Sequence, residues 1–120
     1  MNSHGSQHFK PSELACHHCG MYHVEPALLI ALEWLRNLVE HPLTVNSGYR
    51  CQVHNAAVGS RPSSQHLFGR AADVTCSHVA PAQLAQLAED VPYFQYGGIG
   101  LYNTFVHVDV RDNGPARWTG

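Results

Sequence analysis

His66 and Asp73 lie seven residues apart in the string Ser64-Gln65-His66-Leu67-Phe68-Gly69-Arg70-Ala71-Ala72-Asp73, and a second histidine with a carboxylate follows at His107-Val108-Asp109. Two imidazoles and one carboxylate make a three-ligand zinc centre with an open fourth position, the pattern of catalytic rather than structural zinc. Zinc so held lowers the pKa of a bound water to about 7 and polarises a carbonyl oxygen, which is the chemistry of hydrolysis. Gly69 permits a tight turn between the two ligands, and Ala71 and Ala72 are small enough for close packing beside a site. Spacing alone leaves structural alternatives open: a strand histidine also serves as a satisfied core residue, and an aspartate such as Asp73 also caps turns. The composition leans towards sites, because the ten histidines outnumber the seven Lys and Arg together, and histidine is the commonest metal ligand and the neutral-pH proton carrier.

The four cysteines raise a second question. Cys16-His17-His18-Cys19 has the spacing of a metal knuckle, and Cys51 is followed three residues later by His54. A structural zinc on Cys16, Cys19, Cys51 and one of His54, His23 or Cys76 is one reading. A disulfide among Cys16, Cys19 and Cys51 is another, and free buried thiols are the third.

Periodicity indicates the elements that must position these groups. Leu28, Leu29, Leu32, Leu35, Leu38 and Val39 recur at three- and four-residue spacing, which predicts a helix opened by Pro26 and stopped by Pro42. A short β-rich run at Leu43-Thr44-Val45 ends in the turn signal Ser47-Gly48. A helical turn is expected over Cys51 to Val58, a loop over Gly59 to Ser64, a buried strand over Ala71 to Val74 and a helix over Ala80 to Glu89. Ile99 to Tyr102 and Phe105 to Val110 read as strands around an Asn-Thr turn, with His107 and Asp109 on one face and Val106, Val108 and Val110 on the other. Phe9 to Gly20 reads as a cysteine- and histidine-rich loop and the tail from Asn113 as turn-rich. This mixture is α+β, and one domain is expected over residues 9–120 after a flexible leader over 1–8.

The ordered string Ser64-x-His66-x-x-Gly69-x-Ala71-x-Asp73, then His107-Val108-Asp109, with Ser47-Gly48-Tyr49-Arg50 upstream, resembles the D-Ala-D-Ala metallopeptidase family. That superfamily includes zinc D-alanyl-D-alanine carboxypeptidases, phage L-alanyl-D-glutamate endolysins and the hedgehog signalling domain, and the resemblance runs from Phe9 to Trp118. It implies a short antiparallel sheet flanked by helices, and one catalytic zinc on His66, Asp73 and His107. It implies that Arg50 binds a substrate carboxylate or a developing oxyanion, and that Ser64 hydrogen-bonds beside the ligands or faces water. The substrate implied is a peptidoglycan stem peptide, cut as a carboxypeptidase or an endopeptidase; the alternative is a non-catalytic zinc fold used for binding. Relatives often carry an acidic residue or a histidine just upstream of the last ligand, where this chain has Thr104 and Phe105. Asp109 is then the nearest carboxylate, and acts as general base, as support for a ligand or as a partner of Arg111. Tyr102 is a further candidate for oxyanion or water contact, and His54 is a distant candidate base.

Charge excludes some partners. Seven basic against nine acidic residues leave a formal charge of −2, with no basic excess for phosphate contacts, so nucleic acid is not expected. The longest apolar run, Ala27 to Leu32, is too short to span a bilayer. Met1 to Lys10 is polar and lacks the apolar core of a secretory leader. The expectation is a monomer made in the cytoplasm that reaches the cell wall by phage-type release or tail delivery.

Overall fold

A computed structural model describes residues 6–120, and residues 1–5 of the expected leader lie outside the described residues. Ser6 and His8 are tied to the body of the protein. The Ser6 hydroxyl and the His8 amide both donate to Glu33 Oε2 at 2.6 Å, and His8 Nδ1 lies 2.6 Å from Glu33 Oε1. A one-turn helix, α1 (Pro11–Leu14), then forms in a stretch that reads as loop, with the Lys10 amide donating to Glu13 Oε2 at 2.9 Å and Leu14 buried.

Helix α2 (Pro26–Val39) starts at proline, whose missing N–H costs nothing in a first turn, and buries Leu28, Ala31, Leu32, Leu35 and Val39. Of the expected apolar stripe, Leu38 is exposed instead. The helix stops at Glu40, which takes a left-handed φ of 64° as its amide caps Arg36. The chain continues through β1 (Thr44–Ser47), α3 (Gln52–Ala57), a 3₁₀ turn at Gln65–Phe68, β2 (Ala71–Thr75), α4 (Pro81–Ala88), α5 (Pro92–Gln95), β3 (Gly98–Leu101), β4 (Val106–Asp109) and β5 (Ala116–Thr119).

The five strands form one sheet in the order β1-β2-β4-β3-β5. The first three pairings are antiparallel, but β5 joins β3 in parallel, so the sheet is mixed rather than wholly antiparallel. The α+β class holds. Alternation along the strands divides the sheet into two chemical faces. Ala72, Val74, Ile99, Val106 and Val108 point into a core completed by α2, α4 and α5, where Leu32, Leu84 and Phe94 are fully or almost fully buried. The other face carries Asp73, His107 and Asp109. No helix among the described residues is long and apolar enough to cross a membrane.

Candidate metal centre

Strand register alone brings two of the expected ligands together. Asp73 on β2 stands opposite His107 on β4 in the antiparallel ladder, so both side chains rise from the same face as neighbours. His66 arrives from the 3₁₀ turn. Ser64 Oγ caps that turn by accepting from the His66 amide at 3.3 Å. Gly69 ends it with a left-handed φ of 68°, and a Cβ there would run into the His23 carbonyl, so both the turn and the close approach require glycine.

The ring nitrogens are sorted by their outer partners. His66 Nδ1 lies 2.7 Å from the Gly48 carbonyl oxygen, which can only accept, so Nδ1 carries the proton and Nε2 holds the lone pair. His107 Nε2 lies 2.7 Å from Asp109 Oδ2 and by the same reasoning donates, leaving Nδ1 as the lone-pair nitrogen. Those two lone-pair atoms lie 3.2 and 3.1 Å from one oxygen, Asp73 Oδ1. The three ligand atoms lie within 4.8 Å of one another. A tetrahedral zinc with bonds of about 2.0–2.1 Å separates its ligand atoms by about 3.3 Å, so this donor set fits a zinc ion.

The charges follow from the packing. With protons in place of a cation at His66 Nε2 and His107 Nδ1, burial opposes ionisation of Asp73, but the hydrogen bonds and charge of His107 and His66 outweigh it and hold the carboxyl well below the usual range. Burial likewise opposes charge on His107, but Asp109 and Asp73 on either side raise its pKa above the ordinary value.

Asp109 sits on the far side of the His107 ring from Asp73. It has no solvent exposure, and both oxygens are occupied: Oδ2 by His107 and Arg111 Nη2 at 2.7 Å each, Oδ1 by Arg111 Nε at 2.9 Å and the Arg111 amide at 3.1 Å. Room for this carboxylate comes from Gly98, its cross-strand neighbour, where a Cβ would clash with the Asp109 side chain. Gly100, opposite His107, similarly admits the Trp118 ring, which packs 5.0 Å from the His107 ring.

Arg50 approaches from the chain after β1. Its amide donates to the His66 carbonyl at 3.1 Å, and the guanidinium reaches Ser47 Oγ, Asn55 Oδ1, Ser60 Oγ and, at 3.4 Å, Asp73 Oδ2. These contacts use four of its five N–H groups and leave one Nη2 proton for another acceptor. A cleft of about 860 Å³ opens over the ligands, lined by Arg50, Ser64, Gln65, Tyr102, Phe105 and Trp118 among others. The Tyr102 hydroxyl accepts from Trp118 Nε1 at 2.9 Å, which leaves its own proton to donate, and its ring stacks on Phe105. Asp73 is the only carboxylate among the described residues that line this cleft. His54 is not among them and packs against His17 instead.

The sequence reading missed Asn55 and Ser60, which hold Arg50, and Trp118, which covers His107. The first two follow the Ser47–Arg50 motif closely, yet nothing in their spacing marks them. Trp118 reaches the site only because β5 pairs with β3.

The profile of the peptidase M15 family matches residues 7–109. The chain belongs to that family of peptidases. It is also 34% identical over 71 residues to the zinc D-Ala-D-Ala carboxypeptidase of Streptomyces albus G, a match covering 58% of this chain and 28% of that protein.

Proposed function

We propose that the protein is a zinc-dependent peptidase that cuts peptidoglycan stem peptides, as a carboxypeptidase at D-Ala-D-Ala ends or as an endopeptidase within the stem, after release to the cell wall by a phage-type route. The observation that carries this reading is the convergence of His66 Nε2, Asp73 Oδ1 and His107 Nδ1 beside a buried arginine at the floor of an open cleft. Zinc at these three atoms supplies Lewis acidity and an acidic water.

The chain's own residues do the rest. Arg50, locked by Ser47, Asn55 and Ser60, presents its remaining N–H to a substrate carboxylate or to the scissile carbonyl oxygen as charge develops there. Tyr102, which also lines the cleft, offers its hydroxyl proton to the bound peptide. Phe105 and Trp118 give the cleft an apolar side that excludes water from the peptide. Ser64 fixes the turn that aims His66. Asp109 acts as a positioning residue, because its lone pairs are spent on His107 and Arg111 rather than turned to the cleft.

One observation favours a second reading, a binding module of the same fold: Asp73, itself a ligand, is the only carboxylate on the cleft wall among the described residues. Digesting purified muropeptides with the zinc-loaded protein and weighing the products separates the two. Loss of a terminal alanine identifies the carboxypeptidase, and release of a stem peptide the endopeptidase. Unchanged muropeptides that still bind the protein support the module.

A further inference from the structure

Three thiols converge outside the lining of the cleft. Cys16, Cys19 and Cys51 place their sulfur atoms within 4.8 Å of one another, and His18 Nδ1 lies 3.5 Å from Cys51 Sγ. Cys76 stands apart, in an isolated bridge to Val79. The local backbone is that of a knuckle. Cys16 to Cys19 make a turn closed by the Gly20 amide on the Cys16 carbonyl at 2.8 Å, with Gly20 at a left-handed φ of 76°. Cys51 caps the start of α3. Two backbone amides point at sulfur: Cys51 N–H at Cys16 Sγ and His54 N–H at Cys51 Sγ, each at 3.4 Å. Such donors stabilise thiolates bound to a metal.

We propose that Cys16, Cys19 and Cys51, with His18 as fourth donor, hold a second, structural zinc ion. Three sulfurs and an imidazole nitrogen are a soft, four-ligand set suited to tetrahedral zinc. With Zn–S bonds of about 2.3 Å the sulfurs would sit about 3.8 Å apart, a spacing compatible with three sulfurs that lie within 4.8 Å of one another. A disulfide would use only two of the three thiols and strand the third.

The site joins two stretches that the sheet does not. Residues 16–25 have no helix or strand of their own, and Cys51 directly follows Arg50. The ion therefore staples the N-terminal loop to the segment that carries Arg50, beside the existing bond from the Tyr49 amide to the Leu14 carbonyl at 2.9 Å. This inference stands independently of the peptidase reading.

The test is metal content of the full chain, purified reduced and loaded with zinc. The expected result is two zinc ions per chain in the wild type and one in either Cys19→Ser or His107→Ala, with none in the double variant. Cys19 is exposed, so its replacement by serine leaves the core intact. Cobalt(II) substitution gives an independent readout: thiolate-to-cobalt charge-transfer absorption should persist in His107→Ala and vanish in Cys19→Ser. His18→Ala should keep the band but lose the metal to a chelator faster; unchanged loss would remove His18 from the ligand set. Metal content unaffected by Cys19→Ser, no thiolate band in cobalt-loaded His107→Ala, or a non-reduced mass short of one pair of hydrogens among these cysteines would overturn the proposal.

Discussion

At the scale of single residues, the question is what each polar side chain near the ligands is free to do. Asp109 accepts four hydrogen bonds, from His107, the Arg111 amide and both arms of the Arg111 guanidinium. A carboxylate so engaged orients its histidine and has no lone pair left for a proton from the cleft. Asp109→Asn should therefore lower zinc affinity about 10–100-fold, while turnover at saturating zinc stays near the wild-type value. A general base would show the reverse, intact zinc with a rate loss of about 10²–10⁴, so zinc titration and turnover on one preparation decide the matter. Arg50 differs in kind. Its fork is mostly spent on Ser47, Asn55, Ser60 and Asp73, with one N–H left over. Arg50→Lys keeps a charge but cannot make that set of contacts. Zinc content should be unchanged and kcat/KM should fall about tenfold or more, the worth of one charge-assisted hydrogen bond; an unchanged kcat/KM would take Arg50 out of substrate handling.

At the scale of elements, the site depends on which strand neighbours lack a side chain. Gly98 leaves the space that Asp109 fills. Gly98→Ala should cost about 1–3 kcal/mol in urea unfolding, as overpacking does, and should also weaken zinc binding by displacing the brace of His107. Gly59→Ala is the matched control, since nothing lies near its Cβ direction; it should cost about 1 kcal/mol for its positive φ and leave zinc untouched. Helix α2 offers a pH test remote from the metal. Burial would raise the Glu33 pKa, but the hydrogen bonds from Ser6 and His8 outweigh it and lower it. A depressed carboxyl stabilises the fold above its unfolded pKa and loses that contribution as pH falls through the folded one. Wild-type stability should thus drop more steeply below about pH 4.5 than that of Glu33→Gln, as read by urea unfolding across that range. The α2 period and the alternation Val106-His107-Val108-Asp109 are local patterns imposed by one buried face, and both elements stand where those patterns place them. The strand β5 and the turn α1 are four residues each; Ala116-Arg117-Trp118-Thr119 alternates, but its inner side chains, Ala116 and Trp118, are only half-buried and form no sealed core face. Ala116–Thr119 becomes a strand through its pairing with β3, a partner distant in sequence. The same distance hides Trp118 and the glycine cradle of Asp109, whereas the ligand set follows from the resemblance of its ordered motifs to a known family.

At the scale of the molecule, the sheet separates two tasks. One face is sealed by α2, α4 and α5 over an apolar core, and the other holds the polar cluster on β2 and β4, which lie inside the sheet with neighbours on both sides. Strands held on both edges move little, so the register that sets Asp73 opposite His107 gives a preformed ligand pair. His66 and Arg50 come from the chain outside the sheet, tied to each other by the Arg50 amide and to Gly48 through the His66 ring. The central claim is that this His-Asp-His set holds the zinc on which peptide cleavage depends. The most direct test measures zinc per chain and muropeptide cleavage together, in zinc-loaded wild type and in His107→Ala. The account predicts that His107→Ala binds one zinc fewer than the wild type, stays folded and releases no product, while the wild type cleaves. Equal zinc in the two proteins, or cleavage by His107→Ala at the wild-type rate, would contradict it.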